Sequence, residues 1–347
     1  MKKYFFIIIC LTIAVNAFSQ QNMHYAINEL TSGTGTNLRG LSVVDDNILW
    51  VSGSKGWTGK SNDAGKTWKW QQPKGFEKLD FRDIEAFDEN NAIIMNAGSP
   101  AYIMKTNDGG NNWKIVYENK DSLAFIDGMD FWDEKRGMAY GDPVNGRFLI
   151  LTTNDGGENW ETLPFQQAPE AFTGEASFAA SGTAIRTLKG GYAWIGTGGS
   201  HSRLLFSSGY GLHWKSFDCP VIQGEASQGI FSLVFTDEKN GIIVGGDYSR
   251  DTLRTKNCFI TTDGGNSWKS PEVNPFGYRS GLEALGKKVL IATGTSGTDI
   301  SNNSGHSWMN LDKQSYNTVR KAKNGKAVYI AGSQGKVGRI ILGDISR

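Results

Sequence analysis

The chain has 347 residues, and its 36 basic and 35 acidic side chains give a net charge of +1, which argues against nucleic-acid binding through bulk charge. A hydrophobic content of 39% and 11 Trp argue against disorder, and 44 Gly beside only 8 Pro indicate a turn-rich fold. Four His and three Cys leave few residues for a metal site, so we expect neither a metal nor a cofactor.

Residues 1–19 have the pattern of a secretory signal peptide. Met1-Lys2-Lys3 is a basic start, an apolar run follows from Tyr4 to Val15, and Ala17 and Ser19 are the small residues expected before a cleavage site. No later stretch is apolar enough to cross a membrane. We therefore predict that residues 20–347 form one exported, monomeric domain, located in the periplasm or outside the cell.

Two cysteines follow this segment, Cys219 and Cys258. In an oxidising compartment they can pair as a disulfide. They can equally be two buried free thiols, and the sequence leaves both alternatives open.

One eight-residue pattern occurs six times along the chain, and each copy ends in Trp. The template is Ser/Thr-x-Asp-x-Gly-x-Ser/Thr/Asn-Trp, with Gly209 and Asn303 replacing Asp in two copies. Successive Trp residues are 45, 47, 54, 54 and 40 residues apart, which is the length of four short strands with their turns. Such a period is typical of β-propeller blades. The six are Trp68, Trp113, Trp160, Trp214, Trp268 and Trp308.

The Asp residues of these copies are interpreted as parts of tight turns rather than as catalytic carboxylates. An Asp side chain accepts hydrogen bonds from backbone N–H groups two or three residues further on, and the Gly two residues later adopts a positive φ without steric cost. The Trp then begins the next strand and packs against a neighbouring sheet. The four are Asp63, Asp108, Asp155 and Asp263.

Apolar stretches that end in small residues precede each copy and are predicted as second strands of the blades, for example residues 48–53. A seventh such strand, residues 327–332, follows the sixth copy, and residues 336–342 give a third strand. A lone strand at residues 23–30 precedes the first blade. We therefore predict an all-β fold, a single seven-bladed β-propeller of four-stranded blades, in which the N-terminal strand completes the last blade and removes its open edges.

The repeated pattern resembles the Asp-box of BNR-repeat propellers, which include sialidases and sortilin-like receptors. The longer pattern resembles the photosystem II stability and assembly factor propellers and their exported bacterial relatives. The stretches that carry it are residues 81–87, 141–148, 174–183, 245–248 and 277–281. The resemblance implies a propeller that binds proteins and assists the assembly of complexes. Relatives often carry an oxidoreductase label, but no redox motif in this sequence supports one.

Strand order within a blade predicts where a binding site lies. The innermost strand starts on one face of the disc, and the loop between the second and third strands returns to that face, which we name the upper face. The Asp turns lie on the opposite face. The residues predicted to surround the channel at the upper face are Arg39, Arg82, Asp127, Asp142, Glu175, His201, Asp247, Tyr248, Tyr278 and Arg279.

Three arginines of this set, Arg39, Arg82 and Arg279, suggest an anion site. If they converge, they can clamp a carboxylate or a phosphate with bidentate hydrogen bonds. Alternatively, Arg39 and Arg279 pair with acidic residues of the same set and hold neighbouring blades together. Asp142 and Asp247 can also cap their own loops.

Three functions are compatible with these features. The one we favour is a non-catalytic scaffold that binds a protein partner or a glycan through the upper face. The second is a sialidase-like glycoside hydrolase, in which the arginines act with Tyr278, a carboxylate at Glu283 or Glu175, and an acid at Asp127. Seven blades and the missing Pro in residues 81–84 speak against it. The third, a redox enzyme or lyase with a cofactor in the channel, lacks the expected motifs.

Overall fold

The computed structural model describes residues 25–31 and 34–343. Within these ranges, 29 strands form seven sheets of antiparallel strands. The first strands of successive sheets contact one another in a closed cycle, so the sheets surround one central channel. The predicted seven-bladed β-propeller is confirmed. The predicted signal peptide lies outside the described residues, and no helix within them is long and apolar enough to span a membrane.

The first three blades follow the expected order, with the first strand innermost. The first blade contains β2 (Leu38–Val43), β3 (Leu49–Gly53), β4 (Thr58–Ser61) and β5 (Lys69–Gln71). The second contains β6 (Phe81–Ala86), β7 (Ala92–Asn96), β8 (Ala101–Thr106) and β9 (Lys114–Asn119). The third contains β10 (Ile126–Phe131), β11 (Gly137–Val144), β12 (Arg147–Thr153) and β13 (Glu161–Thr162).

The fourth and sixth blades have the same order. The fourth contains β15 (Ile185–Leu188), β16 (Tyr192–Gly196), β18 (Arg203–Ser208) and β19 (His213–Asp218). The sixth contains β23 (Gly281–Ala284), β24 (Leu290–Gly294), β25 (Gly297–Ser301) and β26 (Met309–Asp312). The 3-10 helices are Phe165–Gln167, Tyr248–Arg250 and Ser333–Gly335.

The fifth blade is irregular at both edges. Its main strands are β20 (Gln228–Phe235), β21 (Gly241–Asp247) and β22 (Cys258–Thr261). Its fourth strand is reduced to a bridge between Ile260 and Lys269, and Pro271 lacks the N–H that a longer strand would require. Two short strands extend the inner edge of the sheet, β14 (Glu175–Ala176) and β17 (Gly198–Gly199).

The N-terminal strand closes the ring. The seventh blade contains β27 (Thr318–Lys321), β28 (Val328–Ala331) and β29 (Val337–Leu342), followed outward by β1 (Tyr25–Thr31). β1 pairs with β29 in antiparallel register, with Ile27 opposite Ile340. The predicted closure is confirmed, because the last blade has three strands of its own and takes the fourth from the start of the chain.

Seven hydrophobic clusters of the described residues lie between neighbouring blades, one for each pair. An eighth, around Phe231, lies at the channel. The second strands supply most of this hydrophobic core, since β3, β7 and β24 are buried along their whole length. The repeated Trp residues lie at the outer part of these clusters, and Trp308 is almost completely buried. Each Trp therefore joins its own blade to the blade beside it.

The repeated Asp residues bond within their own turns. Asp63 accepts hydrogen bonds from the backbone N and the hydroxyl of Thr67 at 2.8 and 2.6 Å, and these bonds lower its pKa to about 2. The hydroxyl of Ser61 accepts a further bond from Gly65 N. The same arrangement occurs around Asp108, Asp155 and Asp263.

Asp155→Ala is expected to lower the free energy of unfolding by about 1–3 kcal/mol, because the backbone N and side-chain amide of Asn159 lose their acceptor. Asp155→Asn is the matched control, since Asn303 fills the equivalent turn of the sixth blade and accepts from Ser307 N at 2.9 Å. Thermal unfolding of both variants measures the difference. Equal stability of Asp155→Ala and the wild type would contradict the turn interpretation.

Cys219 and Cys258 are both buried and both free. Cys219 lies in the cluster between the fourth and fifth blades, and Cys258 in the cluster between the fifth and sixth. Burial raises the pKa of both thiols. Of the two alternatives, the structure therefore contains the two buried thiols.

Candidate functional site

A segment of the chain fills the centre of the channel. Residues 177–183, which we call the plug, precede β15 and run between the inner strands of blades on opposite sides of the ring. Three arginines of the channel wall donate to its carbonyl oxygens: Arg82 to Ala179, Arg39 to Ala180 and Arg320 to Gly182, at 3.4, 3.0 and 3.1 Å. The Ser181 hydroxyl donates to Ser280 O at 2.5 Å.

Small side chains allow the plug to fit. Ala179, Ala180, Ser181 and Thr183 are all buried. Gly182 has a φ of 67°, and a β-carbon there would overlap the carboxylate of Asp83. Because the residues of the segment Ser-Phe-Ala-Ala-Ser-Gly-Thr are mostly small, the segment can cross a channel that is already lined by side chains.

The plug lies between two cavities. The upper cavity, of about 400 Å³, opens at the face where the first strands begin and has Ala179 and Ala180 in its wall. The lower cavity, of about 1220 Å³, opens at the face where the first strands end, and Arg320 connects its lining to the plug. Each cavity is thus a separate potential binding site.

β-Bulges aim side chains into the upper cavity. The pairing register shifts by one residue at Arg39 in β2, at Arg82 in β6, at Asp127 in β10, at Asp142 in β11 and at Phe231 in β20. All five residues line the cavity. A bulge leaves one residue unpaired and redirects its side chain, which explains how strands of ordinary sequence supply a convergent set.

Arg39 and Arg82 provide the positive charge of the upper cavity. Within the described residues Arg39 has no carboxylate at ion-pair distance, and its buried Nε has no hydrogen-bond partner. Burial, followed by the charge of Arg82, lowers the pKa of Arg39. Arg82 pairs with Asp80 at 2.8 Å and keeps 32% of its side chain exposed. Both guanidinium groups therefore retain donors for a ligand.

The two acids of the upper cavity do not cancel this charge. Burial, and next to it the charge of Asp142, raises the pKa of Asp127 well above its usual range. Its Oδ2 has no hydrogen-bond partner in the described structure. Burial also raises the pKa of Asp142, which accepts a hydrogen bond from Ser177 N at 2.9 Å. Asp127 therefore favours its neutral form, which can donate a hydrogen bond.

Aromatic rings form the remaining wall. Phe178 of the plug stacks on Phe231 at 3.9 Å, and Tyr278 meets Phe231 edge-on at 4.7 Å. Tyr248 packs at 6.0 Å from Phe231 and is half exposed at the rim. Burial raises the pKa of Tyr278. The upper cavity thus combines an apolar wall with two guanidinium groups.

Four predicted residues do not reach this cavity. Arg279 is fully buried and pairs with Asp299 at 2.6 Å. It does not converge with Arg39 and Arg82, because in extended chain a one-residue step from Tyr278 turns the side chain to the opposite side.

The other three are held by local contacts. Glu175 pairs with Arg203 at 2.6 Å in the interior, and Asp247 caps the 3-10 helix that follows it by accepting from Ser249 N at 2.9 Å. His201 is exposed on the outer surface and stacks on Phe172 at 4.3 Å.

The residues required for a sialidase-like reaction are not brought together. Arg279 and Glu175 are buried in the ion pairs described above, and Glu283 lines the lower cavity, on the other side of the plug from Arg39 and Asp127. No cluster of three or more His, Cys, Asp or Glu residues that could hold a metal ion occurs in the described ranges.

No protein-family model matches the sequence, and no curated protein matches it. The fold, however, is similar to solved structures. YCF48 bound to D1 peptide aligns with a TM-score of 0.64 and 13% identity over 92% of this chain and 97% of that chain. YCF48 from Cyanidioschyzon merolae has a TM-score of 0.62 and 14% identity, with 90% and 98% covered. The WD40 β-propeller domain of Doa1 has a TM-score of 0.62 and 11% identity, with 93% and 98% covered.

These similarities establish the propeller architecture. YCF48 belongs to the assembly-factor propellers that the sequence resembles, so the solved structures agree with that part of the resemblance at the level of the fold. At 11–14% identity they do not establish what this chain binds.

Proposed function

We propose that this propeller is a non-catalytic scaffold that binds a protein partner through the upper cavity. The observation that carries the proposal is the pair Arg39 and Arg82, presented by bulges beside an aromatic wall, with donors not used by carboxylates of the chain. A segment with an apolar side chain next to a carboxylate matches this lining. YCF48, a similar fold, has been seen bound to D1 peptide.

Because the plug fills the centre of the channel, its presence favours binding at the surface over passage of a ligand through the channel or chemistry within it. Its backbone carbonyl oxygens already accept from Arg39 and Arg82, so both side chains are held in place before a ligand arrives. Preorganised donors lower the entropy cost of binding. The cavity of about 400 Å³ above the plug has room for one or two side chains of a partner, not for a buried cofactor of large size.

Arg82→Gln is expected to weaken partner binding at least tenfold with little change in melting temperature, because Arg82 is partly exposed and, among the described residues, bonds only Asp80 and one plug carbonyl. The partner is first identified by a photo-crosslinking residue at Tyr248 on the cavity rim. A crosslinker at Met309, on the outer strand of the sixth blade and equally exposed, is the control.

Affinity for that partner and melting temperature are then measured together. Arg147→Gln is the matched charge control, since Arg147 pairs with Glu170 outside the cavity. A partner that crosslinks equally from Tyr248 and Met309, or an Arg82→Gln variant that loses stability but not affinity, would overturn the upper-cavity proposal and leave a structural role for Arg82.

We also propose that the chain is exported, with residues 1–19 as the signal peptide. The expected product, recovered from the periplasm or the medium, begins at Gln20, which N-terminal sequencing and intact mass determine. Ile8→Arg, which interrupts the apolar run, is expected to leave the full-length chain inside the cell. A cytoplasmic wild-type protein that still begins at Met1 would contradict export.

A further inference from the structure

The lower cavity lies on the face opposite the upper cavity and is about three times larger, at about 1220 Å³ against about 400 Å³. Residues at the ends of the first strands form its wall, including Glu85 of β6, Asp130 of β10, Glu283 of β23 and Lys321 of β27. The Asp turns are the feature that the sequence predicts on this face. The plug separates it from the proposed protein site.

The carboxylates deep in this cavity already have partners. Glu283 pairs with Arg186 at 3.0 Å, and Glu85 pairs with Lys323. Asp130 accepts from Thr187 N at 2.7 Å and from its neighbour Phe131 N. Burial raises the pKa of Glu85, Asp130 and Glu283, which further reduces their negative charge. Two of these three carboxylates are thus held in ion pairs, and the third is held by backbone N–H groups.

Several cations of the same lining have no such partner. In the described part of the chain, Arg320 bonds only the Gly182 carbonyl oxygen, and Lys321, Lys135 and Lys189 form no ion pair. Arg320 and Lys321 are half-buried on β27, and Lys135 and Lys189 lie at the rim. In the described lining, Asp130 and Glu134 are the acidic residues outside the ion pairs, while Asp133 pairs with Arg136. Four cations against two carboxylates leave an excess of positive charge in the cavity.

Two further features restrict the ligand. Glu85 and Glu283 also line the cavity, and a carboxylate in an ion pair still has acceptor capacity, so a ligand with hydrogen-bond donors beside its negative charge fits this lining better than a phosphate cluster does. The aromatic faces are already covered: Phe87 and Phe131 meet edge-on at 5.1 Å, and Lys323 lies over Phe87. Phe87 and Phe131 therefore leave little free face on which a saccharide ring could stack.

We propose that the lower cavity is a second binding site, which takes an acidic peptide segment whose carboxylates contact Arg320 and Lys321. A peptide has backbone N–H donors for the carboxylates and acidic side chains for the cations. Its apolar atoms can contact the partly buried rings of Phe87 and Phe131 in the same lining. The site is independent of the upper cavity, so the propeller can hold two segments at once.

The test uses the full chain and a fluorescent eight-residue peptide of alternating Glu and Ala, followed by anisotropy. The wild type is expected to bind it, the Gln-Ala analogue at least tenfold more weakly, and Lys321→Gln several-fold more weakly than the wild type. Arg320→Gln combined with Lys321→Gln should abolish binding, while Arg82→Gln in the upper cavity should leave it unchanged. Melting curves show that each variant is folded, and Lys321→Gln alone tests the site if the double variant is not.

Three results would overturn the inference. One is no saturation by about 1 mM peptide. Another is equal binding of the Gln-Ala analogue, and the third is loss of binding in Arg82→Gln, which would move the peptide to the upper cavity. Competition distinguishes the ligand classes: tripolyphosphate or trigalacturonate that displaces the peptide at lower concentration than unlabelled peptide would replace the peptide by an inorganic polyanion or a uronic saccharide. Apart from the Arg82→Gln result, which would assign the peptide to the upper cavity, none of these results bears on crosslinking of a partner from Tyr248.

Discussion

Gly182→Ala is expected to destabilise the protein by about 2–5 kcal/mol, a large effect for a single methyl group. Gly182 has a φ of 67°, where a side chain costs about 1–2 kcal/mol. The added β-carbon would also overlap the Asp83 carboxylate, which is buried and bonded to Met129 N at 2.9 Å. Overpacking of this kind costs about 1–3 kcal/mol. Denaturant unfolding measures the sum.

Gly35→Ala is the matched control, because Gly35 has a φ of 63° and open space where its β-carbon would lie. It carries the backbone cost without the overlap, so it should cost about 1 kcal/mol. Asp83→Ala combined with Gly182→Ala removes the overlap and should cost less than the two single changes added together. If Gly182→Ala and Gly35→Ala lower the free energy of unfolding equally, the plug shifts to accommodate the added β-carbon at no measurable cost.

The plug explains why Arg39 and Arg82 have hydrogen-bond partners that the sequence did not predict. Arg39 and Arg82 were expected to point at an open channel, and they bond instead to carbonyl oxygens of the plug, which are neutral. A carbonyl oxygen does not offset the charge of Arg39 or Arg320. Asp299 offsets that of Arg279, and Asp80 offsets part of that of Arg82. The same chain segment therefore positions the cations of both cavities and leaves their charge available.

The repeat pattern was sufficient to predict the blades and their closure. The Trp copies mark one hairpin per blade, and the apolar stretches before them have the length of buried strands, so strand number and order follow. The seventh apolar stretch had no copy after it, which required a strand from elsewhere. The Trp copies and the apolar stretches are each contained in a short segment of sequence, and for that reason the blades could be predicted from the sequence.

The site was predictable only in part. The position of Arg39, Arg82 and Asp127 near the start of first strands was correct, but the bulges that direct them depend on pairing with the next strand. The plug has neither alternation nor apolar periodicity, so no pattern predicts it. A partial signal is the 54-residue distance from Trp160 to Trp214, longer than most blades need, but the same distance separates Trp214 from Trp268, where no plug occurs.

Removal of β1 is expected to have an effect as large as that of Gly182→Ala or larger. A chain that begins at residue 32 lacks the outer strand of the seventh blade, with its six residue pairs along β29. Cross-strand pairs contribute about 0.2–1 kcal/mol each. The cluster that contains Ile340 also loses the packing of Ile27 from β1. The exposed edge of β29 then has unpaired backbone groups that can pair with a strand of another chain. We expect a large drop in melting temperature and concentration-dependent aggregation.

The reference for this comparison is a chain that begins at residue 25, so that the two proteins differ only by the segment that contains β1. A synthetic peptide of residues 25–31, added in excess, should raise the melting temperature of the shorter chain, because it can occupy the free edge of β29 with the native register. A scrambled peptide of the same composition should not. Equal melting curves for the two chains would mean that the seventh blade is stable with three strands, and closure would then rest on the contacts that β27 and β28 make with β2.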